Sequence, residues 1–175
     1  REIMKKIRRI LEVLLIGARL GKRFLKENIE ISFFIREDYM AFREKYLSEN
    51  IENTLLEPSC GNGNFLITIL KRKLDTVKAK YKNQVDVEFY IIKATASIYG
   101  IDISEENILE AKERMNNEIK NFYSYKFNTR KANDGFWGSV NWVLERNVIV
   151  GDMLNKIQDV VLVEYTTPKK YLFKR

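Results

Sequence analysis

Three acidic side chains stand at the ends of apolar runs in this chain. Glu57 follows Thr54-Leu55-Leu56, Asp102 follows Ser97-Ile98-Tyr99-Gly100-Ile101, and Asp152 follows Asn147-Val148-Ile149-Val150-Gly151. Each run reads as a strand of a parallel sheet, and in an open parallel sheet ligands sit beyond the carboxyl ends of the strands. A carboxylate there can hold hydroxyl or ammonium groups or ordered water, and it repels phosphate. Glu57 also opens the run Pro58-Ser59-Cys60-Gly61-Asn62-Gly63-Asn64-Phe65-Leu66, which reads as a strand end, a two-glycine turn and a helix start. Gly61 and Gly63 let the backbone take positive φ and come close to a ligand where a side chain would intrude. The chemistry on offer is the holding of a nucleotide-like cofactor, largely by main chain. Proton-transfer chemistry has little support, because the chain has no His, the usual general base and commonest metal ligand. Hydrolytic triads and zinc sites are therefore poor candidates.

Other glycine motifs fit less well. A dinucleotide fingerprint needs Gly or Ala three residues after the second Gly, where Leu66 stands, and a Walker A loop needs Gly-Lys-Ser/Thr, which is missing. Each acid also has a purely structural reading. The Gly-x-Gly segment can be a tight βα turn without a ligand, Asp102 a helix-start acid beside Ser104, and Gly151-Asp152 an ordinary turn. The order gives them weight: an acidic glycine loop, then Gly-x-Asp, then Gly-Asp, each at a strand end.

The elements that must position these residues follow from spacing. Leu66, Leu70, Leu74, Val77 and Tyr81 predict a long helix over 64–82, and a further helical segment fits 87–96. Ser104 is an N-cap with Glu105 and Glu106 in the positive first turn, and Ile108, Ala111, Met115, Ile119 and Phe122 lie along one face of a helix over 104–120. Gly63 and Asp102 are much farther apart than the roughly 20 residues usual between a glycine loop and its ribose acid, so extra segments are inserted. A second excess, 121–146, carries Phe122, Tyr123, Tyr125, Phe127, Phe136, Trp137 and Trp142. Core packing of an inserted helix is its ordinary explanation, with a partner or DNA surface as the alternative. Arg130, Lys131, Asn133 and Gly135 read as an exposed turn within it.

The pattern acid-Pro-x-Cys-Gly-x-Gly-x-Phe resembles the S-adenosyl-L-methionine (AdoMet) loop of amino-group DNA methyltransferases, above all the adenine-N6 enzymes of restriction-modification systems. From about Asn53 to Leu154 the chain is similar to a long-spaced subset of these proteins. The resemblance implies a doubly wound, mostly parallel α/β fold of the Rossmann-like methyltransferase type. It implies an AdoMet site of Glu57, Pro58, Cys60, Gly61, Asn62, Gly63, Phe65, Asp102, Ile103, Asp152 and Met153. Glu57 would hold the methionine ammonium or nearby water and Asp102 the ribose hydroxyls. Asp152 would accept from the adenine amino group, with Met153 packed on the ring. Cys60 reads as a small packing residue within that loop rather than a reactive thiol.

Two features of the family are missing. Nothing before Glu57 contains a Pro, so an upstream Phe-x-Thr-Pro signature is absent. The chain has only two prolines, Pro58 and Pro168, so the Asp/Asn-Pro-Pro-Tyr/Phe loop that clamps a flipped adenine cannot be present. Thr167-Pro168 with Tyr171 is a crude echo of it. Cytosine-C5 chemistry fails too, since no Pro-Cys nucleophile exists. The expectation is the cofactor-binding part of a DNA adenine methyltransferase, inactive alone, with catalytic and target-recognition segments beyond Arg175. Two alternatives stay open: a non-catalytic assembly or nucleic-acid-binding module on the same fold, and a methyltransferase acting on RNA or protein.

Length and composition set the frame. The chain has 175 residues, 45% of them hydrophobic, enough for one domain with a core. No signal peptide or membrane span is recognisable, and one Cys excludes an intramolecular disulfide, so a cytoplasmic location without membrane contact is expected. Residues 1–26 carry nine Lys/Arg against two acids, which accounts for the whole formal charge of +7. With Ile3, Ile7, Ile10, Leu11, Leu14 and Leu15 they predict an amphipathic basic helix, a surface for DNA phosphates or a solvated face. The expected organisation is a helical basic region over 1–47 and a methyltransferase-like core over 48–175. The expected partners are DNA and restriction or specificity subunits.

Overall fold

A computed structural model describes residues 50, 51 and 53–165. The expected helical region 1–47, its basic helix, the boundary at residue 48 and the Thr167-Pro168-Tyr171 segment lie outside the described residues.

The described chain runs β1 (Leu55–Glu57), α1 (Asn64–Lys80), α2 (Gln84–Ala96), β2 (Ile98–Asp102), α3 (Glu105–Phe127), α4 (Phe136–Asn147), β3 (Val148–Val150) and a 3-10 turn (Ile157–Asp159). The strands form one parallel sheet in the order β1-β2-β3. Leu55 pairs with Ile98 and Gly100 with Val148, which puts all three carboxyl ends at one edge. Parallel neighbours need crossovers, and helix pairs supply both: α1 and α2 between β1 and β2, α3 and α4 between β2 and β3. With consecutive strand order, right-handed crossovers fall on the same face of the sheet. The helices accordingly pack on one another, α1 on α3 and α2 on α4. The expectation of an α/β fold with parallel strands therefore holds, while a second helical layer is not among the described residues.

The core lies under that helical face. Leu66, Ile69, Leu70 and Val77 of α1 meet Ile91 and Ala94 of α2, Ile108, Met115 and Ile119 of α3, and Leu55, Ile98 and Val148 of the sheet. On the other face, Gly151 lies between Ile101 and Val160, where an added Cβ would stand only 3.0 and 3.1 Å from their side chains. The Tyr99 hydroxyl donates to the Val163 carbonyl at 2.6 Å.

Several elements differ from their predicted bounds. β1 begins one residue later than Thr54, and α3 runs seven residues beyond Lys120. The extra turns of α3 turn Tyr123 rather than Phe122 into the core, with Tyr123 4% exposed and Phe122 only partly buried. The Tyr123 hydroxyl donates to the buried Glu88 carboxylate at 2.7 Å, a partner that Phe122 could not use. That carboxylate also accepts from Gln84 and from the main chain and side chain of Asn133. The 128–135 turn is exposed over Arg130, Lys131, Asn133 and Gly135. Within the aromatic insert Tyr123, Phe127, Phe136 and Trp137 form one cluster of ring contacts in or against the core, while Tyr125 and Trp142 are exposed.

Candidate cofactor site

The turn after β1 is shaped by the strand beside it. Cys60 N–H donates to the Ile101 carbonyl at 2.9 Å, and Gly63 N–H closes back on the Cys60 carbonyl at 3.0 Å. Gly61 has φ 53° and Gly63 φ 85°, the left-handed region that L side chains enter at a cost. Gly63 is also forced by space, since a Cβ there would stand 2.9 Å from Ala111 Cβ on α3. Phe65 and Leu66 begin α1 and point into or against the core.

Asp102 is the hub of the edge. One carboxylate oxygen accepts from Gly61 N–H at 2.9 Å. The other accepts from Ser104 N–H at 2.9 Å and from the Asn107 side chain at 3.1 Å. Its carbonyl accepts from Gly151 N–H at 2.9 Å. Burial alone would push the Asp102 carboxyl up, but the hydrogen bonds from Ser104, Asn107 and Gly61 outweigh it and hold it below the ordinary carboxylate value. Ser104 caps α3 as expected, accepting from Asn107 N–H at 3.3 Å.

The other predicted residues divide into groups. Glu57 and Pro58 are half-buried at the end of β1. Asn62 sits in the turn with its side chain donating to Glu110 at 3.0 Å. Ile103 is 72% exposed beside Asp102. Cys60 belongs to the core cluster, and burial pushes its thiol up to about 12, helped by the nearby Asp102 charge. A reactive thiolate is thereby excluded at neutral pH. Asp152 is engaged within its own turn, accepting from Leu154 N–H, Asn155 N–H and the Asn155 side chain at 2.9–3.0 Å. The Asn155 bonds foremost hold its carboxyl below the ordinary value. Met153 is half-buried beside it. The structure thus joins Gly61 and Gly151 directly to Asp102 and Cys60 to the adjacent Ile101, while the Asp152 side chain makes its hydrogen bonds locally.

Sequence reasoning missed the role of α3 as a platform under the glycine turn. Asn107, Glu110, Ala111 and Arg114 form one stripe at three- and four-residue spacing. Arg114 donates to the Asn62 carbonyl and to the Asn64 side chain, each at 2.7 Å. The signal was that stripe, which runs alongside the apolar one and includes a small residue where a glycine turn can press close.

A groove of about 410 Å³ opens elsewhere, between α2 and α4, lined by Ile92, Gly138, Trp142 and Tyr165. The Asn147 side chain donates to the carbonyls of Ala96 and Ile98, so α2 and α4 both end at the amino edge of the sheet. The groove contains none of the predicted site residues. Among the described residues, no cluster of three or more His, Cys, Asp or Glu could hold a metal ion, and no helix is long and apolar enough to cross a membrane.

Compared with protein-family models, curated proteins and solved structures, the chain matches none.

Proposed function

We propose that the carboxyl edge of this sheet binds S-adenosyl-L-methionine, and that the chain is the cofactor-binding part of a DNA adenine-N6 methyltransferase on a Rossmann-like, doubly wound fold. The observation that carries the reading is the 2.9 Å bond from Gly61 N–H to the Asp102 carboxylate. It joins the glycine turn of one parallel strand to the acid of the next, at the edge where open α/β sheets take ligands. The charges support a ligand without phosphate, because Glu57 and Asp102 end their strands, Asp152 stands two residues past the third, and the guanidinium of Arg114 is engaged by Asn62 and Asn64. A carboxylate has about four acceptor positions, of which Asp102 uses three, leaving one for a ribose hydroxyl.

Bound AdoMet would supply an activated methyl group. This chain's residues would bind and orient it: Gly61 and Gly63 by close main-chain approach, Asp102 at the ribose, and Asp152 with Met153 at the adenine. Glu57 would face the ammonium. No Pro-Pro pair exists in the chain, so the base-clamping loop is not supplied by these residues. Titration calorimetry of the full chain with AdoMet and S-adenosylhomocysteine tests the reading. Micromolar binding that Asp102→Ala abolishes is expected, and no heat with either ligand would sink it.

A second reading has one observation in its favour. The three bonds to the Asp102 side chain suffice for a structural hub, which suits a non-catalytic assembly module on the same fold. In that case Asp102→Ala lowers the unfolding midpoint and neither ligand binds the parent protein.

A further inference from the structure

Arg114 and Glu110 stand on α3, away from the three strand ends. An Arg–Glu pair four residues apart on a helix surface is ordinarily a weak local contact. Here the two nitrogens of Arg114 are directed elsewhere. Nη1 donates to the Asn62 carbonyl and Nη2 to the Asn64 side chain, both at 2.7 Å, while Glu110 lies 3.8 Å from Nη1. Glu110 in turn accepts from the Asn62 side chain at 3.0 Å. Main chain and side chain of Asn62 are therefore gripped by the two partners. Between them Ala111 sits under Gly63, so close that no Cβ fits. The helix that this turn starts has no side-chain N-cap, since its cap residue is Gly63. The first turn of α1 is thus held from α3 instead of by a cap of its own.

We infer that Arg114 and Glu110 are positioning residues that fix the Gly61–Asn64 turn in its ligand-binding shape before a ligand arrives. The inference rests on the cofactor reading above for what the turn binds. A turn with two left-handed glycines has many alternative conformations, and each one populated in the free protein lowers ligand affinity. Arg114 suits the task because its planar fork reaches two acceptors at fixed spacing, which a lysine cannot do. Both residues remain partly exposed, so their loss affects the turn more than the core.

The test uses the full chain with Arg114→Ala, Arg114→Lys, Glu110→Ala and, as a control, Lys112→Ala, whose ammonium pairs with Glu145 on α4. Calorimetry with S-adenosylhomocysteine is run well below each unfolding midpoint, beside amide hydrogen exchange of Gly61 and Gly63 without ligand. Arg114→Ala is expected to weaken binding roughly tenfold, as loss of a charged hydrogen bond of about 1.5 kcal/mol implies. It should also speed exchange at both glycines. Arg114→Lys should recover only part of this, Glu110→Ala should weaken binding and speed glycine exchange by a smaller factor than Arg114→Ala, and Lys112→Ala should change neither readout. Unchanged exchange and affinity in Arg114→Ala would overturn the inference, as would an affinity loss that merely tracks the unfolding midpoint. If the parent binds neither AdoMet nor S-adenosylhomocysteine, the cofactor reading falls. Glycine exchange in Arg114→Ala then judges the clamp alone: faster exchange upholds it and unchanged exchange overturns it.

Discussion

The two edges of the small sheet are each organised by one buried charged side chain, and they use it in opposite ways. At the amino edge Lys73 is fully buried. Its ammonium donates to the Ile51 carbonyl at 2.9 Å, the Asn53 carbonyl at 2.6 Å and the Ser97 hydroxyl at 2.5 Å. An ammonium has three donors, and all three are used within the protein. At the carboxyl edge Asp102 is 8% exposed, retains an acceptor position and has Ile103 projecting into solvent beside it. A closed edge of this kind serves stability, and an edge with spare hydrogen-bonding capacity can take a ligand. The contrast favours the carboxyl edge for the proposed ligand without reference to any motif.

The closed edge offers the largest effect. Lys73→Ala removes buried volume and the three hydrogen bonds of the ammonium, so a loss of about 3 kcal/mol in urea unfolding is expected. Lys73→Met, which keeps the volume, should cost less. Burial pushes the Lys73 amine down from 10.5 to about 7. The unfolded chain then holds more protons than the folded one between those values. Parent stability therefore rises with pH across that window and is level below about 7. Lys73→Met should flatten the rise. A slope that survives in Lys73→Met would place the titration elsewhere and break the account of this edge.

At the open edge, Gly63 and Gly61 separate strain from contact. Gly63→Ala combines φ 85° with the approach to Ala111 and should cost about 2–3 kcal/mol, measured by thermal or urea unfolding. Gly61→Ala has strain without a clash, since nothing lies within 4 Å of its Cβ position, and should cost about 1 kcal/mol. Equal losses would show that the platform under the turn is not rigid.

Asp102→Asn comes next, at about 1–2 kcal/mol, since one amide oxygen must replace a carboxylate that accepts from three donors. The folded Asp102 carboxyl is held below its ordinary value of 3.8. Its contribution is therefore fully present above that value and lost as pH falls through the lower folded one. Acid unfolding of Asp102→Asn should be less steep than that of the parent below about pH 4.

Much of this fold is legible from periodicity. The apolar repeats of α1 and α3 and the short β-branched runs declare helices and strands because each element buries one face. The acids at strand ends are legible because parallel topology fixes where those ends lie. Lys73 is not, since it sits in the run Lys71-Arg72-Lys73, which reads as a solvated stretch until the start of β1 and Ser97 close over it. Arg114 is hidden for a similar reason. Its partners, Asn62 and Asn64, lie about fifty residues away in sequence, and helix spacing reports only neighbours on the same helix. Phe122 and Tyr123 show the limit of periodicity itself, because adjacent aromatics straddle the seam and the hydroxyl contact with Glu88 decides between them.

The smallest expected effect on stability falls at a residue whose proposed role is in binding alone. The Asp152 carboxylate is tied to Leu154 and Asn155, within three residues of itself, and no strand or helix depends on it. Asp152→Asn should therefore leave the urea midpoint close to that of the parent, because an exposed local turn tolerates an amide in place of a carboxylate. Ligand binding makes a different demand. If Asp152 accepts from an adenine amino group, the amide can present its nitrogen instead of an oxygen, and affinity for S-adenosylhomocysteine should fall about three- to tenfold. A midpoint shift as large as that of Asp102→Asn would erase the distinction between hub and turn at this edge. Unchanged affinity in a protein that binds the ligand would limit the open edge to the glycine turn and Asp102.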